Sequence, residues 1–181
     1  SDFQTRNNSE LVAIFGNLIN RLMVLMRKYY DGKVPVPNAY NEADESTRSE
    51  LATAPHKIAA LIEQYKFRAA SQEMMQLARL GNKYLADEEP WKLIKTNPDR
   101  VATIMHTALQ VAAGLAIVSE PFLPYTAQKL RNMLQIDSNL DWDSLNGLSP
   151  IGGGHQLGEA TLLFEKIEDD AITKQLERLT S

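Results

Sequence analysis

The sequence predicts an all-α protein, an antiparallel helical bundle of about five main helices with an irregular C-terminal wrap and a short terminal helix. Three observations predict it. Apolar residues recur with a helical period in five long stretches. One of these stretches is apolar on every side, as the central helix of a bundle is. From residue 137 onward the chain is rich in Gly, Ser, Asn and Asp, which is typical of loops.

The first predicted helix covers residues 8–30 and has two distinct faces. Its polar face carries Asn17 and Arg21 one turn apart, close enough for an amide and a guanidinium to hold one planar polar group together. A solvated polar face without a ligand is the alternative, and the spacing leaves both open. The core side consists of Leu11, Ile14, Phe15, Leu18, Ile19, Leu22, Leu25, Met26 and Tyr29.

Two further helices are predicted in the first half of the chain. The second covers about residues 42–64, where Pro55 removes a backbone donor and predicts a kink or a restart. The third covers residues 67–85. Pro90 then ends the helical continuity and leaves Trp91 at a corner.

The fourth predicted helix, about residues 99–119, is the stretch with almost no charge, and we expect it at the centre of the bundle. Prolines then break it, and a fifth helix covers residues 125–136. Beyond the loop, residues 161–167 are short, apolar and extended, and a terminal helix of about ten residues begins at Asp169.

The composition excludes several classes of protein. With 181 residues the chain suits one domain, and the absence of cysteine excludes a disulfide scaffold and thiolate metal sites. We expect a soluble cytoplasmic protein without a membrane partner, because neither a run of about 20 uninterrupted apolar residues nor a signal peptide is visible. A net charge of −4 argues against bulk binding of nucleic acid, including DNA, but not against a local site. Basic residues cluster in and after the first helix: Arg21, Arg27, Lys28 and Lys33.

No motif supports catalysis, a metal site or a resident cofactor. The histidines His56, His106 and His155 lie far apart and outside any metal-binding pattern, and His106 falls in the apolar fourth helix, which favours a core histidine. Gly153 and Gly158 have the outer spacing of a phosphate loop. The next residue is a glutamate, where such a loop needs lysine, so a tight turn is favoured.

Trp91 has two interpretations. A tryptophan at a proline-broken helix end is usually a core anchor. Alternatively its face stays open as a platform for an RNA base, with asparagine and arginine nearby to read the base edge. Sequence spacing does not say whether Trp91 lies near Asn17 and Arg21.

Three segments in the same order resemble one protein family. The run GNLINR, with a basic end and DGKVP after it, resembles the first anticodon-domain helix of methionyl-tRNA synthetases. The segment NKYLADEEPWKLIK resembles the N-x-Y…P-W element of the same family, and GHQLGEATLLFEKIEDD resembles its closing segment. Related class I synthetases also carry helical anticodon domains with N-x-Y…P-W elements, but the closing segment favours the methionyl family.

The resemblance implies that this chain is an α-helical anticodon-binding domain that recognises the CAU anticodon loop of methionine tRNAs. Asn17 and Arg21 match the family's base-binding helix residues. Trp91, with Pro90 fixing its backbone, matches the aromatic that stacks on the first anticodon base. Lys28 is expected to contact RNA phosphates. Ala13 departs from members with asparagine there, so no contact is carried over to it.

The resemblance also implies a second partner, the catalytic domain of a methionine–tRNA ligase, whose ATP-binding motifs this chain lacks. ATP and methionine are implied as ligands of that missing part, and zinc there stays open. We expect residues 1–136 to form the anticodon-binding bundle and residues 137–181 to pack on it or on the catalytic part. A helical scaffold module and the anticodon domain of another class I synthetase are the alternatives.

Overall fold

The computed structural model describes residues 9–136, 150–161 and 163–164. The five long helices predicted from the sequence are confirmed, and a short helix joins them at the corner that Trp91 occupies. The predicted terminal helix and most of residues 161–167 lie outside the described residues. The helices are α1 Ser9–Tyr30, α2 Glu42–Glu63, α3 Phe67–Glu88, α4 Pro90–Leu93, α5 Pro98–Val118 and α6 Pro124–Leu134.

Helix α5 forms the centre of the bundle, as its composition predicts. All but four of its 21 residues are buried, and α1, α2, α3, α4 and α6 all contact it. Helix α3 runs antiparallel to α5, since Arg100 near the start of α5 is paired with Glu88 at the end of α3. Farther along, Gly81 approaches Val111. Small side chains at this crossing let the helix backbones come close.

Helices α1 and α5 are long and apolar enough to cross a membrane, by length and composition alone. In α5, 94% of the apolar window is buried inside the protein, so neighbouring helices already cover it. The share in α1 is 39%, because one side of α1 is polar.

Helix α2 passes through its proline without a break. Of the two outcomes expected at Pro55, a kink or a restart, the restart is wrong, since one helix covers Glu42–Glu63. Pro55 is buried together with Leu51 and Ile58, and this packing compensates for the backbone donor that proline lacks. A capping box fixes the start of the helix, because Asn41 and Asp44 each accept a hydrogen bond from the other's backbone N–H, both at 3.0 Å.

The carboxylate of Asp44 also anchors a buried polar network between α2, α3 and α5. Arg100 binds it with two guanidinium nitrogens, and the Tyr84 hydroxyl donates to it. Arg100 contacts Glu88 as well, at 3.1 Å. Burial raises the pKa of Asp44, but the hydrogen bonds from Arg100, Tyr84 and Asn41 outweigh burial, and the pKa is lowered. The network therefore fixes the C-terminal end of α3, where the chain turns toward Trp91.

The start of α1 is irregular, because Val12–Gly16 forms a π-helical segment. The side-chain amide of Asn82 in α3 donates a hydrogen bond of 2.7 Å to the carbonyl of Ile14 inside that segment. A side chain that enters the backbone ladder in this way is a known cause of irregular helix geometry. The segment ends directly before Asn17.

Residues 150–158 form an irregular strap over the α1–α2 loop. The backbone of Val34 exchanges hydrogen bonds with His155 and Gly154, at 2.8 and 2.7 Å. The side chain of Gln110 in α5 pairs with both backbone groups of Ile151, at 2.7 and 3.0 Å. Gly154 has a φ of +89°, so the glycine run forms a tight turn. This is the interpretation that the sequence favoured over a phosphate loop.

Candidate nucleic-acid interface

Arg21 of α1 and Trp91 of α4 lie together at the surface. The guanidinium carbon of Arg21 is 5.2 Å from the centroid of the Trp91 ring, within the range of a cation–π contact. Trp91 is 38% exposed, so it is not a fully buried core anchor. The structure thus brings together two residues that are 70 positions apart in the sequence.

The turn between α3 and α4 holds Trp91 in place. Glu89 has a left-handed conformation, with a φ of 49°, which reverses the chain directly after α3. Pro90 is buried at the first position of α4, where the missing N–H of proline costs nothing. Pro90 therefore fixes the backbone of Trp91 and does not offer its own surface to a ligand.

A shallow depression of about 240 Å³ lies beside the Trp91 ring. Its apolar walls come from Trp91, Val24 and Leu25, and its polar groups are the Asn20 amide and the Arg21 guanidinium. Val24 is 54% exposed, whereas Leu18 and Leu22 on the same helix are buried. An aromatic face with a flat apolar wall and a few hydrogen-bonding groups suits a planar heterocycle such as a nucleobase.

Asn17 lies on the same exposed face of α1, one turn before Arg21, but lines a different depression. That depression has a volume of about 150 Å³ and lies between α1 and the C-terminal segment, by which we mean Thr161, Leu163 and Phe164. Its lining residues are Val12, Gly16, Asn17, Ile19, Asn20, Thr161, Leu163 and Phe164. The structure therefore joins Arg21 with Trp91 and places Asn17 in the neighbouring depression.

Asn20 lines both depressions and was not singled out from the sequence. Its side chain is exposed, and it has no hydrogen-bond partner among the residues that the structure describes. The sequence could have indicated Asn20 only through its position on the same polar face of α1 as Asn17 and Arg21. That signal was weak, since most exposed helix faces carry polar residues of no function.

Lys28 is the fifth residue that the sequence analysis assigned to RNA binding. It is exposed on α1, one turn beyond Val24, and its ammonium lies 5.9 Å from the centroid of the Tyr29 ring. Arg27, beside it, is paired with Asp31 at 3.3 Å, so part of the basic cluster is neutralised. A charge on a long exposed side chain suits a phosphate contact better than a base contact.

Other candidate chemistry in the described residues is structural. His106 is buried, with Nδ1 donating to the carbonyl of Pro35 at 3.0 Å and Nε2 lying 3.2 Å from the Gln110 amide. His155 contacts the carbonyl of Leu134 at 2.7 Å. Across residues 9–136, 150–161 and 163–164, His, Asp and Glu side chains form no group of three suited to a metal ion.

Residues 34–181 match the sequence model of a protein family described as the anticodon binding domain of methionyl tRNA ligase. The chain belongs to this family. The match begins after α1, so Arg21 lies outside the residues that the family description covers, while Trp91 lies inside them. The anticodon-binding domain is all-α in the described residues, as the sequence predicts.

Relatives extend the similarity of this anticodon-binding domain over α1. The chain is 60% identical to the methionine–tRNA ligase of Christiangramia forsetii, over 98% of the chain and 27% of that protein. It is 55% identical to the methionine–tRNA ligase of Flavobacterium psychrophilum, over 98% of the chain and 26% of that protein. The chain therefore spans about a quarter of the length of these relatives.

Solved structures agree on the fold of the domain. The free-state methionyl-tRNA synthetase of Mycobacterium tuberculosis superposes with a TM-score of 0.82 at 23% identity, over 90% of this chain and 34% of that one. A second structure of the same enzyme, in complex with methionyl-adenylate, also gives 0.82. At this identity the similarity establishes the helical architecture alone.

Proposed function

We propose that this anticodon-binding domain reads the CAU anticodon of methionine tRNAs and presents them to the catalytic part of a methionine–tRNA ligase. The observation that carries the proposal is the Arg21–Trp91 contact, because it puts a partly exposed aromatic face and a guanidinium at one place on the surface. The activity of the whole protein, with ATP and methionine as its substrates and the cytoplasm as its location, belongs to the same proposal.

Stacking of the first anticodon base on Trp91 is the central step. In the free protein the Arg21 guanidinium lies over the ring. An exposed cation–π contact is worth about 0.5–1 kcal/mol, whereas a base stacked on an aromatic side chain is worth about 1–3 kcal/mol. A base therefore competes successfully for the ring, and the displaced guanidinium becomes available to donate hydrogen bonds to the oxygen and ring nitrogen of a base edge.

Specificity then comes from the polar groups, and stacking supplies affinity. Every base has a flat face, so Trp91 alone accepts any of them. Arg21 on α1 offers hydrogen-bond donors, and Asn17 offers both donors and an acceptor. A changed base would leave some of these groups unpaired. Lys28 supplies attraction to phosphates without regard to sequence.

Binding of anticodon stem-loop RNAs to the 181-residue chain tests this proposal. Fluorescence anisotropy at low salt would compare a CAU loop with a loop that differs only in the first anticodon base. We expect tighter binding of CAU, and Trp91→Ala should weaken binding of CAU by about 1–3 kcal/mol. Equal affinities of the wild type for both loops would refute the proposal.

Tyr125 provides a matched aromatic control. It is 74% exposed at the start of α6, so Tyr125→Ala removes an exposed ring from another place on the surface. We expect Tyr125→Ala to leave both affinities unchanged. A thermal melt of each variant separates loss of a binding surface from loss of a fold. If Trp91 were a core anchor of a scaffold module, Trp91→Ala would lower the Tm sharply and leave RNA binding unchanged at temperatures where the variant is folded.

A further inference from the structure

We infer that Val24 is a specificity-determining residue of the Trp91 site, where it rejects a purine at the first anticodon position. The inference rests on the proposed function, because it concerns the base that stacks on Trp91. It adds selection by size to the selection by hydrogen bonds that Arg21 supplies.

The guanidinium of Arg21 does not by itself distinguish cytosine from guanine. A guanidinium offers only N–H donors, arranged as a fork that pairs with two neighbouring acceptors. Guanine presents such a pair in O6 and N7, and cytosine presents one in O2 and N3. Uracil has a donor, N3–H, between its two oxygens, so it offers no such pair. The guanidinium therefore rejects uracil, and another feature of the site has to reject guanine.

Val24 lies where a larger base would extend. It lines the same depression of about 240 Å³ as Arg21 and Trp91, and it stands three positions after Arg21 on α1, where side chains are neighbours. Sites for drug-sized ligands measure about 300–1,000 Å³, so this depression is small. A single ring fits beside Trp91, whereas the second ring of a purine would meet the methyl groups of Val24.

The core of the protein does not depend on Val24. The side chain is 54% exposed, and it belongs neither to the buried core of the described residues nor to the partly buried apolar residues that pack against that core. Leu25, beside it, does pack against the core. Valine also has a lower helix propensity than alanine or leucine. An exposed valine here therefore contributes little to the fold, which leaves its surface for a ligand.

Val24 forms a rigid wall of the depression. Because valine branches at Cβ, its side chain occupies one χ1 rotamer in about 90% of helical positions. Its methyl groups therefore stay in place when a ligand enters, unlike the long side chain of Arg21. Trp91 is held on the other side, because Pro90 is buried and Glu89 has a left-handed conformation. The fold thus sets the gap between the ring and the wall.

Binding of three anticodon stem-loops, CAU, GAU and UAU, tests this role in the 181-residue chain. One methylene in an apolar pocket changes discrimination by roughly 10–200-fold. Val24→Ala removes two methyl groups from an open site, so the preference for CAU over GAU should fall about tenfold. The preference for CAU over UAU should stay as in the wild type, because it depends on Arg21. Fluorescence anisotropy at low salt measures the affinities.

Two further variants serve as controls. Val24→Thr keeps the branched shape of the side chain and replaces one methyl group by a hydroxyl, so it should keep the preference for CAU over GAU. Val36→Ala makes the alanine substitution at another valine, which is 70% exposed and outside the depression, and it should change neither preference. Thermal melts should show no loss of Tm in Val24→Ala, since alanine is the better helix former.

The outcomes separate this inference from the proposed function. If Val24→Ala keeps the wild-type preference for CAU over GAU, the role of Val24 is overturned, while a wild-type preference for CAU over UAU still supports reading by Trp91 and Arg21. Equal losses of both preferences in Val24→Ala would also overturn selection by size. So would a Val24→Thr variant that loses as much preference for CAU over GAU as Val24→Ala. A wild type that binds the three RNAs equally would overturn both proposals.

Discussion

The amide of Asn82 in α3 donates a hydrogen bond of 2.7 Å to the carbonyl of Ile14 in α1. This contact joins the helix that carries Arg21 to the helix that leads into Trp91. It also satisfies a carbonyl within the π-helical segment Val12–Gly16. The side-chain amide of Asn82, which touches neither Arg21 nor Trp91, therefore helps to set their relative position.

Replacing Asn82 should destabilise the protein. Asn82→Ala removes this donor, while the carbonyl of Ile14 keeps the backbone N–H of Asn17, so the free energy of unfolding should fall by about 0.5–1.5 kcal/mol. Asn82→Asp should cost more, because it sets a carboxylate oxygen against the same carbonyl. Urea denaturation monitored by circular dichroism measures both. Equal stability of the two variants would show that the hydrogen bond is not the reason for the asparagine.

Gly81→Ala should also destabilise the protein, through overpacking. A Cβ at this position would lie 2.7 Å from a Leu18 methyl group and 3.3 Å from Val111, and all three residues are buried. Inserted methyl groups in a packed core typically cost about 1–3 kcal/mol. Gly152→Ala is the control, since a Cβ there would meet nothing within 4 Å. Thermal melts of the two variants should differ clearly.

The buried network around Asp44 gives a graded prediction. Tyr84→Phe removes one donor while Arg100 remains, and should cost about 1.5–3 kcal/mol as a hydrogen bond to a charged group does. Asp44→Ala leaves Arg100 with Glu88 as its acidic partner in the network, and should cost about 3–5 kcal/mol. Urea denaturation of the two single variants and of the double variant Tyr84→Phe/Asp44→Ala measures the loss in the free energy of unfolding. If the loss in the double variant equals the sum of the two single losses, the groups do not act together.

Asp44 and His106 should make stability depend on pH, each in its own range. The pKa of Asp44 is lower in the folded protein, so its contribution is present above the ordinary carboxyl pKa of about 3.8 and is lost as the pH falls below that value. Burial lowers the pKa of His106, with Arg48 adding to the effect, although the Pro35 carbonyl opposes it. The folded state therefore favours neutral His106.

The His106 contribution should be complete above pH 6.5, the ordinary histidine value, and should fall as the unfolded chain takes up a proton below it. Protonation would also set a second N–H of the ring against the Gln110 amide. The test compares the urea midpoints of the wild type and His106→Gln from about pH 7.5 to about pH 5, an interval that brackets the ordinary histidine pKa. The two midpoints should approach each other as the pH falls.

Helical periodicity predicted the five long helices because each buries one continuous apolar face, and a face is a local property of the sequence. Three features of the fold had no such signal in the sequence. Asn82 reaches Ile14 across 68 positions to hold the π-helical segment. Packing around Pro55 keeps α2 continuous. The left-handed Glu89 sets the short helix α4, which had no local signal beyond Pro90.

The candidate site likewise has parts that the sequence indicated and parts that depend on how the helices pack. The sequence indicated Arg21 and Trp91 separately, through an exposed helix face and a proline-broken corner, but their convergence depends on how α1 and α3 pack. The sequence left open whether Asn17 lies near them, and the structure places it in the lining of the adjacent depression. Asn20 lines both depressions, and the second exists only because Thr161 and Phe164, which are far away in the sequence, form its opposite wall.

The exposed face of α1 has a consequence for how such a domain changes over evolutionary time. Asn17, Asn20 and Val24 point away from the core, whereas Leu18, Leu22 and Met26 on the same helix are buried. If α1 reads bases as proposed, single substitutions on the outer face would alter base preference without a loss of foldability. The orientation of Trp91 has no such freedom, because Glu89, Pro90 and the packing of α3 all determine it. On the proposed function, base preference would therefore change in small steps along α1 while the orientation of Trp91 stays fixed.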